Sequence, residues 1–189
     1  NQPQMSLSGS GAVKQPPKGR RAYTDEPEAW MKEGAMVLFE GQVGIIRYRK
    51  SELYQETATD FVPVDEGKVN TERANDYFSI RKAYFELAIK EQEEQTEQPH
   101  LRERLNACYD AFVAKWGFFH SNDNKEFIML DSLGVEVFTI EMQVKGDIFK
   151  SDIMREPVAF KKIDTTVQLT PGEALASCLN FYGCVGIGY

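Results

Sequence analysis

Two consecutive helical stripes constrain the fold of this chain more than any other feature of its sequence. From about residue 71 to 95, apolar side chains recur three and four positions apart, and from Pro99 to Trp116 they do so again. Such spacing places each set on one face of a helix, and the short connection predicts an antiparallel helical hairpin. The stripes consist of Tyr77, Ile80, Tyr84, Leu87 and Ala88, followed by Leu101, Leu105, Cys108, Tyr109, Phe112 and Trp116.

Short extended segments precede this hairpin. Ala35–Phe39 and Val43–Ile46 are apolar runs on either side of Glu40–Gln42, a spacing typical of a β-hairpin. Phe61–Asp65 adds a third extended piece, which Pro63 restricts to the edge of a sheet. Residues 25–68 are therefore predicted to form a small β-rich subdomain.

After the helices the apolar period changes to two. Lys125–Leu130 and Val135–Val144, joined by a turn at Asp131–Gly134, predict a second β-hairpin. Thr170–Glu173 form a capping box that predicts a short C-terminal helix. We interpret residues 69–189 as one α+β domain. The predicted fold class is thus α+β, an antiparallel helical hairpin packed on a small antiparallel β-sheet, with a second, minor β-element before it.

The first 24 residues differ from the rest of the chain in charge. They hold Lys14, Lys18, Arg20 and Arg21 and no acidic residue, so a net charge of −11 remains for the other residues of a chain that totals −7. They are also rich in Gln, Ser, Gly and Pro and have little to bury. We interpret residues 1–24 as a flexible basic linker. The alternative is a basic arm that contacts phosphates.

The composition excludes several classes of protein. No run approaches the roughly 20 apolar residues of a membrane span, and the polar start of the chain does not resemble a secretory signal. Three cysteines are too few for a disulfide scaffold and suit a reducing cytosol. A cytoplasmic protein without a membrane partner is predicted.

No set of residues predicts catalysis. His100 and His120 are the only histidines, both expected to be exposed, and the cysteines lack C-x-x-C spacing, so no metal site is predicted. The sequence contains neither a nucleophile elbow nor a P-loop. The chain is therefore predicted to be no enzyme and to hold no cofactor. One acidic cluster is interpreted as a solvated helical face; it consists of Glu91, Glu93, Glu94 and Glu97.

One local cluster of cations is suited to nucleic acid. Arg47, Tyr48, Arg49 and Lys50 end a predicted strand, where the cations can contact phosphates and the ring can stack on a base. Arg20 and Arg21 of the N-terminal segment extend this candidate site. The cations of the two helices lie among glutamates and are expected to form ion pairs within the chain; they are Arg81, Lys82, Arg102 and Arg104.

Six sequence blocks occur in an order that resembles one family of proteins. They are YFSIRKAYFELAIKE, LRERLNACYDAFVAKWG, SNDN, DSLGVEVFTIE, KSDIMREPVAF and GEALASCLNFYGCV. Together they are similar to the central segment of very large proteins of bacterial mobile elements, plasmids and phages, among them the Bacteroides-type conjugative elements. Those proteins join an adenine-specific DNA methylase-like region to a superfamily II helicase. The resemblance covers residues 34–189, and the second block is its most specific part.

The resemblance implies a context and not an activity. In that family the segment lies between the two enzymatic parts and carries neither active site, and the methylase and helicase motifs do not occur in this sequence. The apolar end CVGIGY favours a piece of a longer polypeptide. We therefore expect a non-catalytic interdomain and docking module whose partners are neighbouring domains of the same polypeptide. The alternative is a DNA-binding module that uses Arg47, Arg49, Lys50 and the N-terminal segment.

Overall fold

A computed structural model describes residues 19–50, 57–65, 67 and 69–160, apart from the side chains of Lys50 and Thr57. Every element described belongs to the unit formed by residues 1–159. In chain order the elements are β1 (Arg21–Ala22), β2 (Met36–Phe39), β3 (Gln42–Lys50), β4 (Thr57–Pro63), α1 (Thr71–Glu94), α2 (Pro99–Trp116), α3 (Asn122–Ile128), α4 (Gly134–Phe138), β5 (Glu141–Val144), β6 (Asp147–Lys150) and a 3-10 turn (Asp152–Met154).

The predicted helical hairpin is confirmed. The side chain of Asn70 caps α1 by accepting a hydrogen bond from the backbone N–H of Arg73 at 3.0 Å, and the helix ends where Gln95 adopts φ +51°. α2 begins at Pro99, which suits a first turn because its missing N–H needs no partner there. The facing stripes are buried in one core, whose members from the two helices include Tyr77, Ile80, Leu87, Leu105, Tyr109 and Phe112.

Four strands form an antiparallel sheet in the order β1-β4-β3-β2. The extended segments predicted before the helices are strands, but Arg21 also pairs with Phe61, so residues 21–22 belong to the sheet and not to a flexible linker. A short strand here satisfies backbone groups that the edge of β4 would otherwise leave unpaired. Gly44 of β3 has no room for a side chain, because the ring of Phe61 and the carbonyl of Val62 occupy that space. Residues 1–18 of the predicted linker lie outside the described residues.

The β-hairpin predicted over residues 125–144 is wrong for most of its length. α3 covers most of its first strand and α4 the beginning of its second strand, with the predicted turn between the two helices, and β5 pairs with β6 instead. The reason is burial. Asn124, Phe127, Ile128 and Asp131 are buried at spacings of three and four, which is a helical pattern. Two of these four residues are polar, so the pattern of apolar residues does not reveal the helix.

The sheet that supports the helices is therefore the four-stranded one and not a hairpin at residues 125–145. α1 contacts β2 and β3, and Met36 and Val43 are buried in the same core as the helical stripes. A second core contains Phe39, Ile46 and Phe61 of the sheet. The α+β fold class with its helical hairpin is confirmed, while the predicted C-terminal helix at residue 171 lies outside the described residues.

Candidate nucleic-acid interface

Strand register brings three of the predicted cations together. Arg47 of β3 is directly opposite Asp60 of β4, and Asp60 is in turn opposite Ala22 of β1. Since side chains two positions apart lie on the same face of a sheet, Arg49 and Arg20 share the face of Asp60. The sequence separates Arg20 from Arg47 and Arg49 by more than twenty positions, and only the pairing of β1 with β4 closes that gap.

Asp60 lies beneath two of these arginines. Its Oδ2 is 2.9 Å from the Nε of Arg20 and 2.7 Å from Nη2 of the same side chain. The Nε of Arg49 is 3.4 Å from the same oxygen. The Asp60 side chain is 8% exposed, whereas those of Arg20 and Arg49 are 49% and 63% exposed. One buried carboxylate therefore orients two guanidinium groups that still face solvent.

Arg47 extends the same face with a weaker partner. Its Nη1 lies 3.6 Å from Oε1 of Glu33, and both side chains are about half exposed. An exposed pair at this distance contributes little to stability and exchanges readily with other anions. Among the described residues, three guanidinium groups thus share two carboxylates on this face, an excess of one positive charge.

Arg21 and Tyr48 do not join these three arginines. The guanidinium of Arg21 lies 4.6 Å from the ring centre of Phe61 and donates to Oε1 of Gln42 at 2.9 Å. Tyr48 packs against the second core, and its hydroxyl donates to the carbonyl of Met31 at 3.4 Å. Both side chains are therefore occupied within the fold. The side chain of Lys50, the remaining residue of the predicted site, lies outside the described residues.

The face formed by Arg20, Arg47 and Arg49, hereafter the arginine face, presents charge and not stacking surface. Among the described residues, no aromatic ring lies over any of its three guanidinium groups. Guanidinium groups bind phosphate oxygens in pairs of parallel hydrogen bonds. Contacts of this kind fix a nucleic acid in place without reading its bases.

The cations of the helices form ion pairs within the chain, as expected. Lys82 lies 2.8 Å from Glu28, and Arg104 lies 2.6 Å from Glu86. Arg102 is buried and donates to Glu91 from both Nη1 and Nη2, at 2.8 and 2.7 Å. The interpretation of Glu91 as part of a solvated face is therefore wrong. It points into the hairpin, where it also accepts the backbone N–H of Gln98 at 3.1 Å.

Glu141 is a further buried carboxylate, and no pattern in the sequence predicts its burial. Glu141 accepts hydrogen bonds from the hydroxyl of Tyr109 at 2.8 Å and from the backbone N–H groups of Phe119 and His120 at 2.7 and 3.1 Å. Its Oε2 is also 2.8 Å from Nδ1 of His120, whose side chain is only 18% exposed, contrary to the exposed position predicted. Burial and this carboxylate raise the pKa of Tyr109. Glu141 thereby joins β5 to the turn that follows α2.

No three His, Cys, Asp or Glu side chains of the described part of the chain converge in a way that could hold a metal ion. Nor does any helix there combine the length and the apolar character needed to cross a bilayer. Comparison with known proteins adds no relationship, since no family model, no curated protein and no solved structure matches this chain.

Proposed function

We propose that this chain is a non-catalytic module that binds the phosphate backbone of nucleic acid through the arginine face. The observation that carries the proposal is the position of Asp60, whose buried carboxylate holds Arg20 and Arg49 side by side and exposed. Arginines that are oriented before binding lose less side-chain entropy when they meet a phosphate. The contact would take place in the cytoplasm, the compartment that the cysteine content favours.

The proposal predicts a specific dependence on salt. Each phosphate neutralised by a cation releases counterions, so three contacts give a slope of roughly −3 for the logarithm of affinity against the logarithm of salt concentration. The absence of aromatic rings over the arginine face in the described structure predicts similar affinity for different base sequences. Binding is expected to be weak, because the body of the chain is acidic.

The test compares two triple variants that lose the same charge. Arg20→Gln, Arg47→Gln and Arg49→Gln remove the arginine face but leave side-chain donors for Asp60. Lys82→Gln, Lys90→Gln and Arg104→Gln remove three helical cations that are 46–49% exposed. Binding of a short fluorescent DNA duplex is measured by anisotropy at several salt concentrations. We expect the first variant to lose affinity for the duplex together with the salt dependence of that affinity, and the second variant to keep both. Equal losses of affinity in the two variants would overturn the proposal.

A second candidate function is docking, and an apolar face of the β5–β6 hairpin favours it. Met142 and Phe149 are directly opposite each other, and Val144 follows on the same face; the three are 40%, 45% and 51% exposed. The opposite face is held by the chain itself, through buried Glu141 and through Lys150, which lies 2.6 Å from Asp110. Exposed apolar patches mark interaction sites.

The proposed occupant is a folded neighbouring region of the same polypeptide with an apolar surface. The resemblance described above implies a methylase-like or a helicase region in that position. The test produces separately the neighbouring regions that this proposal requires the gene to encode, mixes each with this chain and measures binding by calorimetry. Serine substitutions at Met142, Val144 and Phe149 are expected to abolish binding, whereas serine at Met129, Leu130 and Val135, which are similarly exposed, is expected to preserve it. Undiminished binding of the first variant would rule out this face.

A further inference from the structure

The arginine face carries its charge at two separate points of the sheet. Arg20 and Arg49 both reach Oδ2 of Asp60, at 2.7 and 3.4 Å, so their guanidinium groups meet above β4. Arg47 instead points towards Glu33, whose Oε1 is 3.6 Å from its Nη1. The point formed by Arg20 and Arg49 is hereafter the paired centre, and the point formed by Arg47 is the single centre.

The order of the strands sets the distance between the two centres. Glu33 precedes a segment that continues β2, because the backbone N–H of Gly34 donates to the carbonyl of Ile46 in β3 at 2.8 Å. Asp60 lies on the other side of β3, in β4, directly opposite Arg47. Two strand spacings of about 4.8 Å therefore place the two centres roughly 10 Å apart, along a line that crosses the strands.

Each centre can accept one phosphate. At the paired centre two guanidinium groups share the single carboxylate of Asp60, which leaves a net charge of +1. At the single centre the pair of Arg47 with Glu33 is about half exposed, and such a pair gives way readily to another anion. Because each backbone phosphate carries one negative charge, the arginine face is suited to two phosphates at a fixed separation.

We infer that the arginine face spans the minor groove of a nucleic-acid duplex, with the paired centre on a phosphate of one strand and Arg47 on a phosphate of the other. The minor groove of B-form DNA is about 6 Å wide, so groups roughly 10 Å apart reach the phosphates that flank it on both sides. The major groove, about 12 Å wide, exceeds that separation. This inference rests on the proposed function and adds to it the form of the ligand, a duplex that is bound through both of its strands.

The test uses a DNA duplex in which one strand carries uncharged methylphosphonate linkages in place of its phosphodiesters. The affinities of the chain for this duplex and for an unmodified duplex of the same sequence are measured by anisotropy at low salt. We expect binding to the modified duplex to be at least about tenfold weaker, because one of two charge-assisted contacts is lost. Equal affinity for the two duplexes would overturn the inference and leave the proposed function intact, whereas no binding to the unmodified duplex would contradict the proposed function itself.

Two variants separate a contact across the groove from the lower total charge of the modified duplex. Arg47→Gln removes the single centre, so this variant is expected to bind the modified duplex at most about threefold more weakly than the unmodified one, which is the general effect of charge. Arg104→Gln removes a helical cation that is 49% exposed, and is expected to discriminate between the duplexes as the natural chain does. Equal discrimination by the Arg47→Gln variant and the natural chain would overturn the inference, because the second strand would then be sensed without Arg47.

Discussion

Arg81 Nη1 lies 2.6 Å from Asp131 Oδ2, and both side chains are buried although fifty positions separate them in the sequence. The same carboxylate accepts the backbone N–H of Met36 and the hydroxyl of Tyr77. Helix α1, strand β2 and the turn before α4 therefore meet at one acidic side chain. Because both charges are removed from water, this pair is sensitive to the loss of either partner.

Asp131→Asn is expected to lower the free energy of unfolding by about 3–5 kcal/mol, because it leaves Arg81 as an uncompensated buried charge. Denaturant titration followed by circular dichroism measures the change. Glu28→Gln is the control, since the Glu28–Lys82 pair is about half exposed and such pairs contribute little. A loss in Asp131→Asn no larger than that of the control would show that the buried pair does not hold these elements together.

Alkaline pH is expected to unfold the protein through its buried tyrosines. Burial and Glu141 raise the pKa of Tyr109, and burial and Asp131 raise the pKa of Tyr77 well above 10.0. The unfolded chain loses these protons near pH 10 while the folded chain retains them. The contribution of these two tyrosines to the free energy of unfolding is therefore fully present below pH 10. Above pH 10 it falls by about 1.4 kcal/mol per pH unit for each tyrosine.

Tyr109→Phe isolates one of these protons. The variant is expected to be less stable at neutral pH by about 1–3 kcal/mol, because Glu141 loses a hydrogen-bond donor. Above pH 10 its free energy of unfolding is expected to fall less steeply with pH, because one proton fewer is released on unfolding. Denaturant titrations between pH 8 and pH 11, which bracket the ordinary tyrosine pKa of 10.0, measure both slopes. Identical slopes for the variant and the natural chain would exclude Tyr109 as a source of the alkaline loss.

Asp60→Asn tests the charge balance of the arginine face. The amide oxygen of the new side chain still accepts hydrogen bonds from Arg20 and Arg49 and keeps them oriented, but their shared counter-ion is lost, so the face gains one positive charge. DNA affinity at low salt is expected to rise roughly two- to fivefold, the equivalent of about 0.4–1 kcal/mol, while stability falls. Anisotropy and thermal unfolding measure the two effects, and Glu86→Gln, which frees Arg104 on α2, is the charge-matched control. If both variants bind DNA with equal affinity, the increase results from the net charge of the chain and not from the arginine face.

Gly134→Ala is expected to be disruptive although it is a small change within a helix. A Cβ at Gly134 would overlap the backbone carbonyl of Ile128, which cannot move as a flexible side chain can. A loss of about 1–3 kcal/mol or more in the free energy of unfolding is expected. Val135→Ala in the same helix is the control, because Val135 is 65% exposed and is expected to change stability by at most about 0.5 kcal/mol. Equal stabilities of the two variants would contradict the close approach of α4 to Ile128.

The helical hairpin could be predicted because its signals are local. Apolar residues spaced by three and four, Asn70 before α1 and Pro99 at the start of α2 are all visible within a few turns of chain. The segment from 122 to 138 could not be predicted, because its inward face includes Asn124 and Asp131. Such residues are polar in the sequence and become core residues only through partners such as Arg73 and Arg81 elsewhere in the chain.

The charged residues discussed above also differ in how far the sequence alone predicts their positions. The sequence by itself determined that Arg47 and Arg49 stand close together, because neighbouring positions of one strand need no tertiary information. Only the tertiary structure decided that Arg20 joins them over Asp60 while Arg21 turns to Phe61, because strand register chooses the face on which each side chain lies. Likewise the local sequence pattern predicts Arg81 to be a surface cation of a helix. Its burial beside Asp131 depends on contacts between residues fifty positions apart, which local sequence patterns do not encode.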